Sequence, residues 1–192
     1  LAIGTDRVQV SPSLPHAPPP SRGGPLIGSI AEFEALWTQE SNQTRKLFAE
    51  LTDGSLVQAV NKDHRTLGRL AWHITTSVGE MMHRCGLHVS GPAEDAPVPS
   101  TAAAIRAGYD EAARTLLADM KAQWTDATLA VEDDMYGQKW KRALTLAILV
   151  AHQTHHRGQM TVLMRQAGLK VPGVYGPSKD EWAAMGMAPP EV

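Results

Sequence analysis

Cysteine is almost missing from this chain: Cys85 is the single one in 192 residues. An internal disulfide is thereby excluded, so the fold must rest on packing or on a bound metal. Long apolar runs are missing too. No segment approaches the roughly 18 consecutive apolar residues that argue for a membrane-spanning helix. Charge excess is also lacking: the formal net charge is -2 and no Lys/Arg-rich block occurs, so the electrostatic footprint of a nucleic-acid binder is absent. The first residues carry no basic segment leading into an apolar core, so no secretory signal is recognisable and a cytoplasmic location is expected. There is almost no strand-type alternation and no internal repeat.

What remains is ordinary globular composition, 43% hydrophobic and 20% charged, in a length that suits one domain with a sizeable core. Residues 1–28 stand apart. The run from Ser11 to Pro20 and the Gly23-Gly24-Pro25 triplet disfavour regular structure, so this zone is expected to be a flexible or surface-draped arm. Residues 29–192 are expected to hold the folded bundle and a C-terminal extension.

Four helical segments are legible in that part. Ser29 and Glu32 form a capping box ahead of a stripe made by Ile30, Phe33, Trp37, Thr44, Leu47 and Leu51, which Asp53-Gly54 should end. A second helix is expected from about Thr66 to Cys85, with Leu67, Leu70, Ala71, Ile74, Val78, Met81 and Met82 on one face. Cys85 ends that stripe and should be buried. After a Gly/Pro-punctuated loop, Ser100 is placed to cap a third helix carrying Ile105, Tyr109, Ala112, Leu116 and Met120. In the next connector, Leu129-Ala130-Val131 suits a short extended piece. The fourth helix should span about Lys139 to Ala167, bury Leu144, Ala147, Ile148, Ala151, Val162 and Leu163, and stop at Gly168 in a left-handed cap. Four such segments indicate an all-α four-helix bundle, and the long connections permit a topology other than simple up-and-down.

The most informative stretch is His152-Gln153-Thr154-His155-His156-Arg157-Gly158-Gln159. Residues four apart on a helix lie about 6 Å apart along the axis with a small angular offset, so His152 and His156 can face one centre. The pair His152/His155 is also possible by spacing, and His155 lies nearer the middle of the apolar stripe. A third imidazole must come from another helix. His73, mid-way along the second helix, is the best placed; His64, His83 and His88 fall towards its ends. The motif is not that of a zinc protease, because Gln153 stands where the general base of HExxH would be.

Arg157 is read either as a surface salt bridge or as an anchor for a substrate carboxylate. Gly158 would admit a neighbouring helix, and Gln159 could bond polar groups near a metal. Glu80 is either a base or a solvated surface residue. Trp72, beside His73, could wall the site. Tyr175-Gly176-Pro177-Ser178 reads as a turn that clamps the chain end, with Ser178 and Glu181 starting a short helix.

The His152-x-x-x-His156-Arg157-Gly158-Gln159 segment is followed by Gly168, Val171-Pro172, Tyr175-Gly176-Pro177-Ser178 and Asp180-Glu181-Trp182. Together with Leu67-Gly68-x-Leu70-Ala71-Trp72-His73, these resemble the DinB family over about residues 29–187. The resemblance implies a DinB-type bundle in which His73, His152 and His156 bind a divalent metal cation, and it moves His155 outward. Zinc or nickel is expected first, with iron or copper also suited to imidazole ligands. It further implies a homodimer and, by analogy with thiol-dependent relatives, a metal-dependent S-transferase, isomerase or hydrolase acting with a low-molecular-weight thiol such as bacillithiol or mycothiol, or with water. The alternative is a non-enzymatic, stress-linked metal- or ligand-binding bundle.

Overall fold

The computed structural model describes residues 27–188 and 191. The arm expected over residues 1–28 therefore lies, up to residue 26, outside the described residues. Four long helices dominate: α1 (Ile30–Ala49), α2 (Leu67–Arg84), α3 (Ala102–Gln123) and α4 (Arg142–Gln166). Consecutive helices are not always neighbours. α1 and α2 each pack against both α3 and α4, whereas α1 faces α2, and α3 faces α4, across the bundle. The long first and third connections make these diagonal crossings possible. The bundle is thus all-α in architecture, as expected, with an order round its axis of α1, α3, α2, α4.

Each helix start is capped by a hydroxyl that accepts an orphan backbone N–H, except at α4. Ser29 Oγ accepts from Glu32 N at 3.1 Å, while the Glu32 carboxylate reaches one residue further back, to Gly28 N, rather than closing the expected box. Thr66 caps α2, accepting from Arg69 N at 3.1 Å. The cap of α3 is Thr101 rather than Ser100, accepting from Ala104 N at 3.3 Å. Helix α1 ends at Ala49, before Asp53-Gly54, because Thr52 and Ser55 cap each other and start a 3-10 turn over Asp53–Val57. Asp53 is then free to accept the Ala102 N–H at the head of α3.

The third connection differs more. Leu129 and Ala130 lie in a 3-10 turn over Asp126–Ala130, and the extended chain comes later, as a hairpin of β1 (Glu132–Met135) and β2 (Gln138–Lys141). Tyr136 and Gly137 both have positive φ, 58° and 81°, as the tight turn of a two-residue hairpin demands. The strands are rich in acids and lysines, poor strand formers alone. Opposite charges nevertheless face each other across the ladder, Glu132 with Lys141 and Asp134 with Lys139.

The core between the helices is formed by Phe33, Trp37, Leu47 and Phe48 of α1, Ile74, Val78 and Met82 of α2, Ile105 and Leu116 of α3, and Leu146, Leu149 and Met160 of α4. Cys85 is fully buried there, and burial pushes its thiol up to about 11. The α3 backbone comes close at Gly108, where a Cβ would stand 3.0 Å from the Trp72 ring. Trp72 is thus turned towards α3 and the α2–α3 connection, donating to Ala96 O at 2.9 Å, and does not wall the histidines.

Helix α4 buries Leu163 and half-buries Ala147 as expected, but the rest of the expected stripe is exposed. Leu144, Ile148 and Val162 are 38%, 37% and 52% exposed, and Ala151 is exposed with them. Its buried face instead includes Thr145, Gln153, His156 and Arg157 among the apolar residues. The polar groups sit inward because they answer one another and the other helices, so apolar periodicity pointed mostly to the wrong side.

Candidate metal centre

His73 from α2 meets His152 and His156 from α4, where those helices pack against each other. His73 Nε2 and His156 Nε2 each lie 3.1 Å from His152 Nε2. All three ligating nitrogens fall within 4.8 Å of one another. Among the described residues, this is the one group of three or more His, Cys, Asp or Glu side chains within ligating reach of a common point. His155 is exposed, its ring on the outer side of His156. His83 bonds the Val89 backbone at the far end of α2, with His88 beside it.

The donor chemistry fits a cation. His156 Nδ1 faces Gln159 Oε1 at 2.7 Å. A carboxamide oxygen only accepts, so Nδ1 carries the proton and the Nε2 lone pair points at the other two rings. Burial holds His73 and His152 down at about 4, with the neighbouring imidazoles adding to the effect. His156 is lowered as well, again mainly by burial, although Gln159 opposes the shift. The rings are therefore neutral at pH 7 and present lone pairs rather than charges. Two nitrogens ligating one ion at about 2.1 Å stand about 3.0–3.4 Å apart; the two spacings to His152 fall in that range, and the third pair lies within 4.8 Å.

One register along α4, Gln153 and Arg157 do something else. Gln153 is fully buried and ties α4 to the other three helices: its Nε2 donates to Ile74 O at 3.2 Å, while its Oε1 accepts from Tyr109 at 2.8 Å and from Thr44 at 3.3 Å. It occupies the place of a protease base and serves as a structural bolt. Arg157 is 2% exposed, so it is neither the surface salt bridge nor the substrate anchor that the sequence suggested. It pairs with the Glu40 carboxylate and donates to Glu40 O and Thr44 Oγ1, each at 3.0 Å. Tyr175 completes the cluster, accepting from Arg157 and donating to Glu40 Oε2 at 2.6 Å. The turn that carries Tyr175 is held by Glu181, which accepts from Gly173 N and Ser178 N. The segment clamps the chain end onto α1 and α4, as its turn-rich sequence suggested.

Glu80 is not a free base. Its carboxylate takes the Tyr136 hydroxyl at 2.7 Å and pairs with Arg84. Among the described residues no helix packs on Gly158, since a Cβ there would meet nothing within 4 Å.

A cavity of about 500 Å³ opens beside His156. Its walls include Leu70, Val162 and Leu163, and its rim carries His64 and Arg65 from the α1–α2 connection. His64 thus lies nearer the site than its distance along the helix axis implied. Arg65 is the feature that sequence reasoning missed; its signal was its place just ahead of the α2 cap, about two helical turns before His73.

The model of the DinB family matches residues 28–191. Bacillus subtilis (strain 168) protein YrdA is 44% identical over 167 residues, covering 87% of this chain and the whole of that protein. A DinB-like protein from Bacillus cereus ATCC 10987, known as a crystal structure, shares 43% identity with a TM-score of 0.75, over 77% of this chain and 99% of that one. The crystal structure of YjoA, a DinB-like protein from Bacillus subtilis, matches over the same shares at 17% identity with a TM-score of 0.60, a likeness of fold alone.

Proposed function

The chain belongs to the DinB family, and on that premise we propose that His73, His152 and His156 hold one divalent metal cation at the centre of a metal-dependent enzyme. The observation that carries the reading is the convergence of three neutral Nε2 lone pairs on one point. Soft-to-borderline imidazole donors without a carboxylate suit zinc or nickel first, then iron or copper, and disfavour magnesium and calcium. A cation with three neutral protein ligands would supply Lewis acidity that lowers the pKa of a thiol or water, the chemistry of thiol-dependent S-transfer, isomerisation or hydrolysis. The chain's own part is to fix the imidazoles. Gln159 sets the His156 tautomer, and the Gln153 and Arg157 networks pin the turn of α4 that carries the ligands. The nucleophile is not Cys85, which is buried and held protonated.

A second reading, a metal- or ligand-binding bundle without catalysis, is favoured by one observation. The two positions from which the sequence could have supplied a base at the cluster, Gln153 and Glu80, are both committed to structural bonds. Elemental analysis of protein purified without a histidine tag should find about one equivalent of a first-row divalent metal. Consumption of low-molecular-weight thiols with a panel of electrophiles then separates the readings. Turnover that disappears on chelation supports the enzyme, and none with the metal fully loaded supports the binding protein.

The proposal includes a homodimer formed through α4. Leu144, Ile148, Ala151, His155 and Gly158 are exposed and alternate four and three apart, the spacing of a helix-pairing seam. A glycine within an exposed helix costs about 1 kcal/mol against alanine, a cost that close approach of a second α4 would offset. Light scattering should give twice the chain mass, and Ile148→Glu should give one.

A further inference from the structure

The cavity beside His156 has two unlike parts. One wall is apolar: Leu70 and Leu163 form its buried side, and Val162 stands 52% exposed at its edge. On the rim is the Arg65 guanidinium. Arg65 is the one arginine that lines this cavity, and among the described residues no carboxylate lies within ion-pair distance of it, as is also true of Arg69, Arg106, Arg114 and Arg165 elsewhere. Asp63 stands on the same rim but does not neutralise it. Arg65 and His156 line the same cavity, so the arginine and the metal centre share one opening.

An unpaired guanidinium offers a planar fork of donors that matches a carboxylate. Exposed valine beside it favours a ligand that covers apolar surface. We infer that this cavity binds a small amphipathic anion, its carboxylate-type head on Arg65 and its apolar body against Leu70, Val162 and Leu163. The substrate, or the thiol, of the proposed reaction then belongs to that class; the assignment of class rests on the reading of the three histidines as the reacting centre. Asp63 confines the negative head to the Arg65 side of the rim.

The test uses the full-length, isotope-labelled, zinc-loaded protein titrated with hexanoate, hexylamine and hexanol, followed by amide shifts in NMR. Hexanoate should perturb Leu70, Val162 and Leu163 and bind more tightly than the other two. Arg65→Gln should weaken hexanoate about tenfold, the worth of one charge-assisted contact, and leave hexanol binding and zinc stoichiometry unchanged. Asp63→Asn should not weaken it. Equal binding of the three probes, no effect of Arg65→Gln, or an equal loss in Asp63→Asn overturns the inference. Repeating the titration without zinc keeps the two readings apart. Arg65-dependent binding should persist there, because the head sits on the guanidinium. A protein that takes up no zinc yet still binds hexanoate through Arg65 refutes the metal centre and leaves the anion site standing. A protein that binds hexanoate only when zinc is present does the reverse.

Discussion

Two pairs of polar residues lie one register apart on the same turns of α4, and they are built on opposite principles. Gln153 and Arg157 form a network that is closed except at Arg157 Nε, which is buried without a partner. Every carbonyl and hydroxyl they reach belongs to α1, α2, α3, α4 or the Tyr175 turn, and the guanidinium charge is matched by Glu40. His152 and His156, with His73, form an open one. Three ring nitrogens converge within 4.8 Å of one another, and the only groups they face there are each other. A closed network spends its polar groups on the fold. An open one keeps them for something that is not part of the chain. The one-residue offset, about 100° round the helix, decides which role a side chain takes.

The largest effect should come from opening the contrast fully. His152→Ala removes the imidazole that both other Nε2 atoms approach, so bound metal should fall from about one equivalent to a small fraction, as elemental analysis will show. The metal-free variant should melt no lower than the metal-free parent, because the lost ring makes no contact that closes the fold. A variant that keeps full metal would refute the ligand assignment.

Arg157→Ala tests the other half. Removing one member of a buried pair leaves the Glu40 charge uncompensated, which costs about 3–5 kcal/mol. Denaturant unfolding should show that loss directly, and metal content per folded molecule should stay at the parent level. If Arg157→Ala instead loses metal without losing stability, the two networks are not separate.

The comparison also explains what the sequence could and could not disclose. The four helices were legible because 3.6-residue periodicity and hydroxyl caps act locally. Spacing brought His152 and His156 to one face and made His73 the best-placed third imidazole; what periodicity left open was His155, whose apolar neighbours Leu144, Ile148 and Val162 are on the surface, and the resemblance moved it outward. Those neighbours misled because the buried face of α4 mixes Thr145, Gln153, His156 and Arg157 with its apolar residues. The roles of Gln153 and Arg157 depend on partners such as Glu40, 117 positions away in sequence, which no local pattern specifies. The hairpin was missed for a local reason: Tyr136-Gly137 lacks the usual Asn or Asp, although the Glu132-Asp133-Asp134 and Lys139-Trp140-Lys141 charge pattern was available.

A smaller effect is expected from the single bond that connects a ring of the open cluster to its surroundings. Gln159→Leu leaves the three imidazoles in place and removes the acceptor for His156 Nδ1–H. Metal affinity should fall about 10–100-fold, the range for losing an orienting partner of a metal-bound histidine. Competition with a chromophoric chelator measures it, and an unchanged affinity would mean that packing alone orients the ring.

The smallest effect concerns pH in the metal-free protein, and its sign separates the two networks. His73 and His152 are held at about 4 in the fold, whereas a free imidazole titrates near 6.5. Between those values the unfolded chain binds more protons than the folded one, so stability rises with pH. It should be flat above about pH 7 and decline as pH falls from 6.5 towards 4, by a few degrees of melting temperature. Part of that decline belongs to carboxylates elsewhere in the molecule, and His152→Ala isolates the histidine share by removing one titrating ring and relieving its neighbours. The slope between pH 6.5 and 5 should therefore be shallower in His152→Ala than in the parent, and unchanged in Tyr175→Phe, which loosens only the closed network. Equal slopes in parent and His152→Ala would show that the imidazoles are not held neutral by the fold, and the argument for three available lone pairs would fail with them.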